Sequence, residues 1–235
     1  MKAIVLNPAR VMKILLVILL ILVLAQVTGL VMKFVLGHGL VFGLVPLFDF
    51  NTEQNIPTLF NTLLFFFNAS LLWMIWKDRE ISHRHRWIWL FLSIVFLLLG
   101  ADEFCELHEK LTAPFHSGLD TTGLLFYAWV IPYGIAALLL AIFFLPVWWR
   151  LEPRTRLLMA VSAILYVTGA ILLEMVGGRE FEQLGEELDL KCGIFATIEE
   201  SLEMGGLILF IYTQMRLLIL KSGNATILFS NQDPG

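Results

Sequence analysis

Six apolar runs leave this chain little choice of architecture, because each approaches the roughly 20 residues an α-helix needs to cross about 30 Å of hydrocarbon. They cover about residues 14–34, 58–76, 87–111, 123–146, 156–177 and 194–218. Backbone donors and acceptors inside hydrocarbon have no water to pair with, so runs of this length are expected to be helices. With 58% hydrophobic residues and a mean hydropathy of +0.81, a water-soluble fold is excluded. The expected fold is all-α: a polytopic membrane protein with a six-transmembrane-helix bundle over residues 1–220 and a short polar tail over 221–235.

The first run follows Lys2, Arg10 and Lys13 as a signal peptide would, but it is too long and no small-residue cleavage site follows it, so a retained helix is expected. Lys and Arg in alternate connections set the orientation, since positively charged loops stay in the cytoplasm. One side collects twelve of the 16 basic residues, among them Arg10, Lys77, Arg86, Arg150 and Arg216, and the other holds Lys33, Lys110, Arg179 and Lys191. Both termini are thereby expected in the cytoplasm, with the tail, and the bacterial inner membrane is the expected location. Six of the seven tryptophans fall near the basic side, as an interfacial aromatic belt does. The net charge of -4 offers no basic surface for phosphates, which argues against a nucleic-acid partner. Membrane lipids are the expected surroundings, and short loops permit a membrane-protein partner or a homo-oligomer.

Polar residues gather toward the extracytoplasmic ends of these helices. In the third run the purely apolar part, residues 87–100, covers only about 21 Å at 1.5 Å per residue. The following Asp102-Glu103-Phe104-Cys105-Glu106-Leu107-His108-Glu109 is therefore expected to continue the helix, with Asp102, Glu106 and Glu109 on one face and His108 and Cys105 beside it. The sixth run is short by the same measure, which draws Glu199, Glu200 and Glu203 into the membrane; Glu174 joins them from the fifth. Gln26, Thr28, Asn61, Tyr127, Tyr166 and Thr168 also fall in outer halves, and Asn68 falls nearer the midplane. The polar stretch from Asp49 to Asn55 is expected to fold over the outer helix ends.

Ionisable groups inside a membrane cost about 2.5 kcal/mol or more each at a helix centre, so a functional role is the default for them. The competing reading is that carboxylates lying shallow enough to be hydrated only cap or tie helices, most simply at Glu103, Glu106 and Glu199. The functional reading makes Asp102, His108, Glu109, Glu174, Glu200 and Glu203 candidate ligands of a divalent metal, since one imidazole with several oxygens suits iron, manganese or zinc. No second histidine completes a paired Glu-x-x-His di-iron pattern. Ceramidase-like membrane hydrolases need three zinc-binding histidines, where this chain has one in a membrane helix. Hydrolytic or redox chemistry at such a metal therefore rests on fewer ligands than metal binding alone, and whether the chain is an enzyme stays open. A proton- or cation-coupled transporter or sensor with shared protons, or a noncatalytic subunit of a membrane complex, are the alternatives. Cys105 and Cys192, both on the outer side, are close enough in this topology to allow a disulfide.

Asp102-Glu103…His108-Glu109, Gly169-Ala170…Glu174 and Glu199-Glu200…Glu203-Met204-Gly205, with Phe48-Asp49…Asn55-Ile56-Pro57 ahead of them, resemble the motifs of an uncharacterised group of bacterial multipass membrane proteins. The similarity covers residues 46–212. It implies a fold and a set of site positions, and no activity.

Overall fold

The structure, a computed structural model, describes residues 7–78, 85–108, 110, 121–185 and 187–222. Among them every regular element is helical. Helix α1, Pro8–Leu30, starts where the Asn7 side chain accepts the N–H groups of Ala9 and Arg10 and a proline takes the first turn, where its missing N–H costs nothing. It runs on through a π turn, Val31–Val35. A single turn, α2 (Leu44–Leu47), precedes α3 (Ile56–Lys77), which Asn55 caps by accepting the N–H of Thr58. Then follow α4 (Arg86–Cys105), α5 (Val130–Trp148), α6 (Pro153–Val167), a second π turn (Thr168–Leu173), α7 (Glu174–Gln183) and α8 (Leu190–Ser222).

Five rods are long and apolar enough to cross a membrane: Pro8–Val35, Ile56–Lys77, Arg86–Cys105, Val130–Trp148 and Pro153–Gln183. The sixth rod is α8, a 33-residue helix that carries Glu199, Glu200, Glu203 and Arg216. It forms the axis of the bundle, with α1, α3 and α6 packed around it. Met204, Leu207, Ile208, Ile211 and Met215 are buried along it at the three- and four-residue spacing of a helix face in contact. The rods alternate in direction, so one end of the bundle gathers Lys77, Arg86, Arg150 and Arg156 and the other gathers the carboxylates of α4, α7 and α8.

Two boundaries differ from the sequence reading, for local reasons. The third helix ends at Cys105, where Glu106 turns left-handed at φ 55°, instead of continuing through Glu109. Glu106 thereby leaves the face of Asp102, and its carboxylate accepts a 2.6 Å hydrogen bond from Gln54. The fourth helix begins at Val130, since Gly123, at φ 62°, opens a separate single turn, Gly123–Leu125. The two cysteines are free thiols, Cys105 exposed and Cys192 buried, so the allowed disulfide does not form. Glu109 and the tail beyond Ser222 lie outside the described residues.

Close helix packing rests on glycine where α8 crosses α6. A Cβ on Gly206 would stand 2.8 Å from both the carbonyl oxygen of Ser162 and the backbone nitrogen of Tyr166, whereas one on Gly205 would meet open space. Gly→Ala in a helix interior gains about 1 kcal/mol of helix propensity. Gly205→Ala is therefore expected to raise the melting temperature in detergent slightly. Gly206→Ala is expected to lower it, because the overlap with rigid backbone costs about 1–3 kcal/mol and outweighs the propensity gain.

Candidate functional site: an acidic chamber

A cavity of about 1330 Å³ opens between α4, α5, α6 and α8. Its upper part, at the acidic end, is lined by Glu53, Asp102, Glu103, His108, Glu174, Glu199, Glu200 and Glu203; no Lys or Arg among the described residues lines it. Below them the walls are apolar, from Phe65, Phe96 and Leu99 down to Trp148 and Met159 near the basic end.

The turn at Glu106 creates the first cluster. It swings the chain back so that the His108 N–H donates to Asp102 Oδ1 at 2.8 Å, while Asp102 Oδ2 accepts the Tyr133 hydroxyl at 2.7 Å. The His108 ring then lies between two carboxylates, Nδ1 at 3.5 Å from Asp102 Oδ2 and Nε2 at 3.5 Å from Glu53 Oε1. Trp129 covers the ring with centroids 4.8 Å apart. His108 lies beyond the end of α4, and its pKa is raised to about 9: burial opposes the charged ring, but the Asp102 hydrogen bond and the charges of Asp102, Glu53 and Glu103 together outweigh it. Both ring nitrogens face carboxylate oxygens, an arrangement that favours the charged ring.

The second cluster lies lower. Glu199, Glu200 and Glu203 from α8, Glu174 from α7 and Glu103 from α4 act on one another electrostatically. Asn61 donates to Glu103 at 3.0 Å, and the Glu199 carboxyl group stands beside that of Glu174. Glu203 is only 7% exposed, and no described residue hydrogen-bonds its carboxyl group. Its place is set by Gly169 in the π turn of α6: a Cβ there would stand 2.7 Å from Glu203 Cγ and from the Glu199 carbonyl oxygen. Such π turns recur at functional sites because they open a helix locally.

Asp102, His108, Glu174, Glu200 and Glu203 therefore share one chamber, as the sequence suggests, but not one point. No three His, Cys, Asp or Glu side chains among the described residues are arranged to hold a metal ion. The described residues alone do not form a single metal centre, and Glu109, the remaining candidate ligand, lies outside them. Of the three residues most simply read as hydrated caps, Glu103 and Glu199 line the chamber and Glu106 does not. Glu53, Trp129 and Tyr133 were not among the candidates. Glu53 was legible only as part of the polar stretch 49–55, which does fold over this end, tied down by a 3.1 Å Lys33–Asp49 ion pair and by Asn55 donating to the Asp49 carbonyl. Trp129 and Tyr133 carry the one available signal, two aromatic residues with polar edges four apart at the start of a span.

Helices long and apolar enough to cross a membrane, around a carboxylate-rich chamber, define an all-helical protein of the candidate-membrane class. The chain belongs to a family described as a domain of unknown function, DUF8692, whose model matches residues 11–218. No curated protein and no solved structure matches it.

Proposed function

We propose that this is a six-span protein of the bacterial inner membrane, with both termini cytoplasmic, whose extracytoplasmic chamber binds a cation in exchange for protons shared among its carboxyl groups. The observation that carries the reading is the imbalance of charge in one cavity, seven carboxyl groups against a single imidazole. Carboxylates so close together in a low dielectric do not all ionise; they hold protons or take up positive charge from outside. The neighbouring carboxyl groups of Glu199 and Glu174 support the reading as a pair able to share one proton. The apolar lower half provides no polar relay toward the basic end, which favours a binding or sensing role over conduction through the bilayer.

Proton release in weakly buffered detergent solution tests this. Adding Mn²⁺ or tetramethylammonium is expected to release protons from the wild-type protein and fewer from Glu203→Gln. No release with either cation, the same in the variant, overturns the reading. Elemental analysis of protein purified without chelators distinguishes a resident divalent metal (iron, manganese or zinc) from exchange. Trace metal is expected, and near-stoichiometric metal that falls in both Glu203→Gln and His108→Ala would restore the metal-centre reading.

A further inference from the structure

We propose that the cation this chamber takes is the amine or quaternary ammonium head of a long-chain amphiphile, with its alkyl chain in the apolar lower half of the same cavity. The proposal rests on the cation-binding reading above and adds the class of ligand. Three features of the site point to it. Glu203 is more than nine-tenths buried, lines the cavity and lacks any hydrogen-bonding partner among the described residues, so its carboxyl group awaits a ligand atom. Aromatic rings line the same cavity: Tyr166, whose strongest electrostatic neighbour is Glu203, and Tyr127, stacked on Phe181 with centroids 6.5 Å apart and packed on Gly178, one helical turn from Glu174. Carboxylates combined with aromatic faces suit alkylammonium groups, which are too weakly hydrated to demand oxygen ligation and gain from cation–π contact.

The third feature is the shape of the space below. Alanines make it: Ala136, Ala137 and Ala141 on α5 face Ala160, Ala163 and Ala170 on the α6 rod. Helix α5 is fastened to α4 at both ends, through Tyr133–Asp102 above and the Phe91–Phe143 and Trp89–Phe144 ring pairs below. Between these fastenings the small residues leave a cleft. The lining on α5 runs from Trp129 to Trp148, about 28 Å at 1.5 Å per residue, close to the full thickness of the hydrocarbon layer. At about 1330 Å³ the cavity exceeds the roughly 300–1,000 Å³ usual for sites of drug-sized ligands. A small cation fills only its acidic end, and an uncharged lipid leaves Glu203 unpaired. An amphiphile with a positive head satisfies both halves.

Binding of radiolabelled hexadecyltrimethylammonium to the full chain in an uncharged maltoside detergent tests the proposal, with hexadecyl sulfate and tetramethylammonium as competitors. Saturable binding is expected, with each competitor at least about tenfold weaker. Glu203→Gln is expected to weaken binding about tenfold or more. Ala163→Phe, which fills the cleft without touching a carboxylate, is expected to abolish hexadecyltrimethylammonium binding while leaving tetramethylammonium-driven proton release intact; its melting temperature checks that it folds. Equal competition by hexadecyl sulfate would overturn the proposal in favour of a nonspecific apolar cleft. Equal competition by tetramethylammonium, or full binding by Ala163→Phe, would overturn the amphiphile while leaving cation binding standing. Loss of proton release in the wild-type protein would overturn both.

Discussion

Raising the pH from 7 to 10 is expected to lower the melting temperature of the purified protein, and His108→Ala is expected to remove much of that dependence. The folded pKa of His108, about 9, lies above its ordinary value of 6.5, so the charged ring stabilises the folded state. That stabilisation is fully present below about pH 6.5 and is lost as the pH rises through about 9. At about 1.4 kcal/mol per pKa unit, the difference amounts to about 3 kcal/mol for a ring that is mostly buried. The structural source is the pair of carboxylates on either side of it, Asp102 from α4 and Glu53 from the loop over the chamber. His108→Ala therefore removes this charge-dependent part of the stability, and the variant's melting curve flattens relative to wild type between pH 7 and 10. Parallel curves for the two proteins would mean that His108 is not charged in the folded state. Every other titratable group is common to the two proteins, so the difference between them isolates the histidine.

The rods were legible in the sequence because hydrocarbon permits so little else: each apolar run became a helix, and the run of residues 58–76 sits inside Ile56–Lys77 almost without adjustment. What failed was the assumption that a helix with a short apolar part must be completed by its polar continuation. The Glu106 side chain at this turn pairs with Gln54, 52 residues away in the chain, a contact that no pattern within residues 87–111 carries. The same turn decides the chemistry. On a continuous helix His108 would flank the face of Asp102 as a candidate ligand, whereas the break folds its backbone N–H onto the Asp102 carboxylate and leaves the ring between two acids. The acidic residues Glu174, Glu199, Glu200 and Glu203 line the chamber, in keeping with the rule that charge on a membrane-crossing helix points inward. Glu53, Trp129 and Tyr133 were missed for the opposite reason, since a loop acid and interfacial aromatics are ordinary at a membrane surface and only the tertiary contact distinguishes them.

Asn68→Leu is expected to destabilise the protein by about 3 kcal/mol, although it replaces a polar residue deep in the bundle with an apolar one. Asn68 and Gln214 are both fully buried, on α3 and on the central α8. The Asn68 amide donates to the carbonyls of Leu64 and Leu207, at 2.9 and 3.2 Å, and its oxygen accepts the Gln214 amide at 2.6 Å. Removing Asn68 leaves the Gln214 NH₂ without its acceptor, and the Gln214 oxygen already lacks a partner. An amide stranded in this way meets no water, and an unpaired buried polar group costs about 1–3 kcal/mol. Gln214→Met alone strands less, because Asn68 keeps both backbone acceptors, so its expected cost is smaller. The Asn68→Leu/Gln214→Met double variant removes both polar groups and is expected to recover most of the loss, giving a coupling energy well above the few tenths of a kcal/mol seen between independent sites. Strict additivity of the two single effects, measured as melting temperatures in the same detergent, would show that the pair does not interact. The recovery also separates stability from register. The Asn68 bond to the Leu207 carbonyl fixes α8 against α3, and α8 carries Glu199, Glu200 and Glu203 into the chamber. A double variant as stable as wild type but impaired in cation-driven proton release would show that this buried pair holds the acidic residues in place.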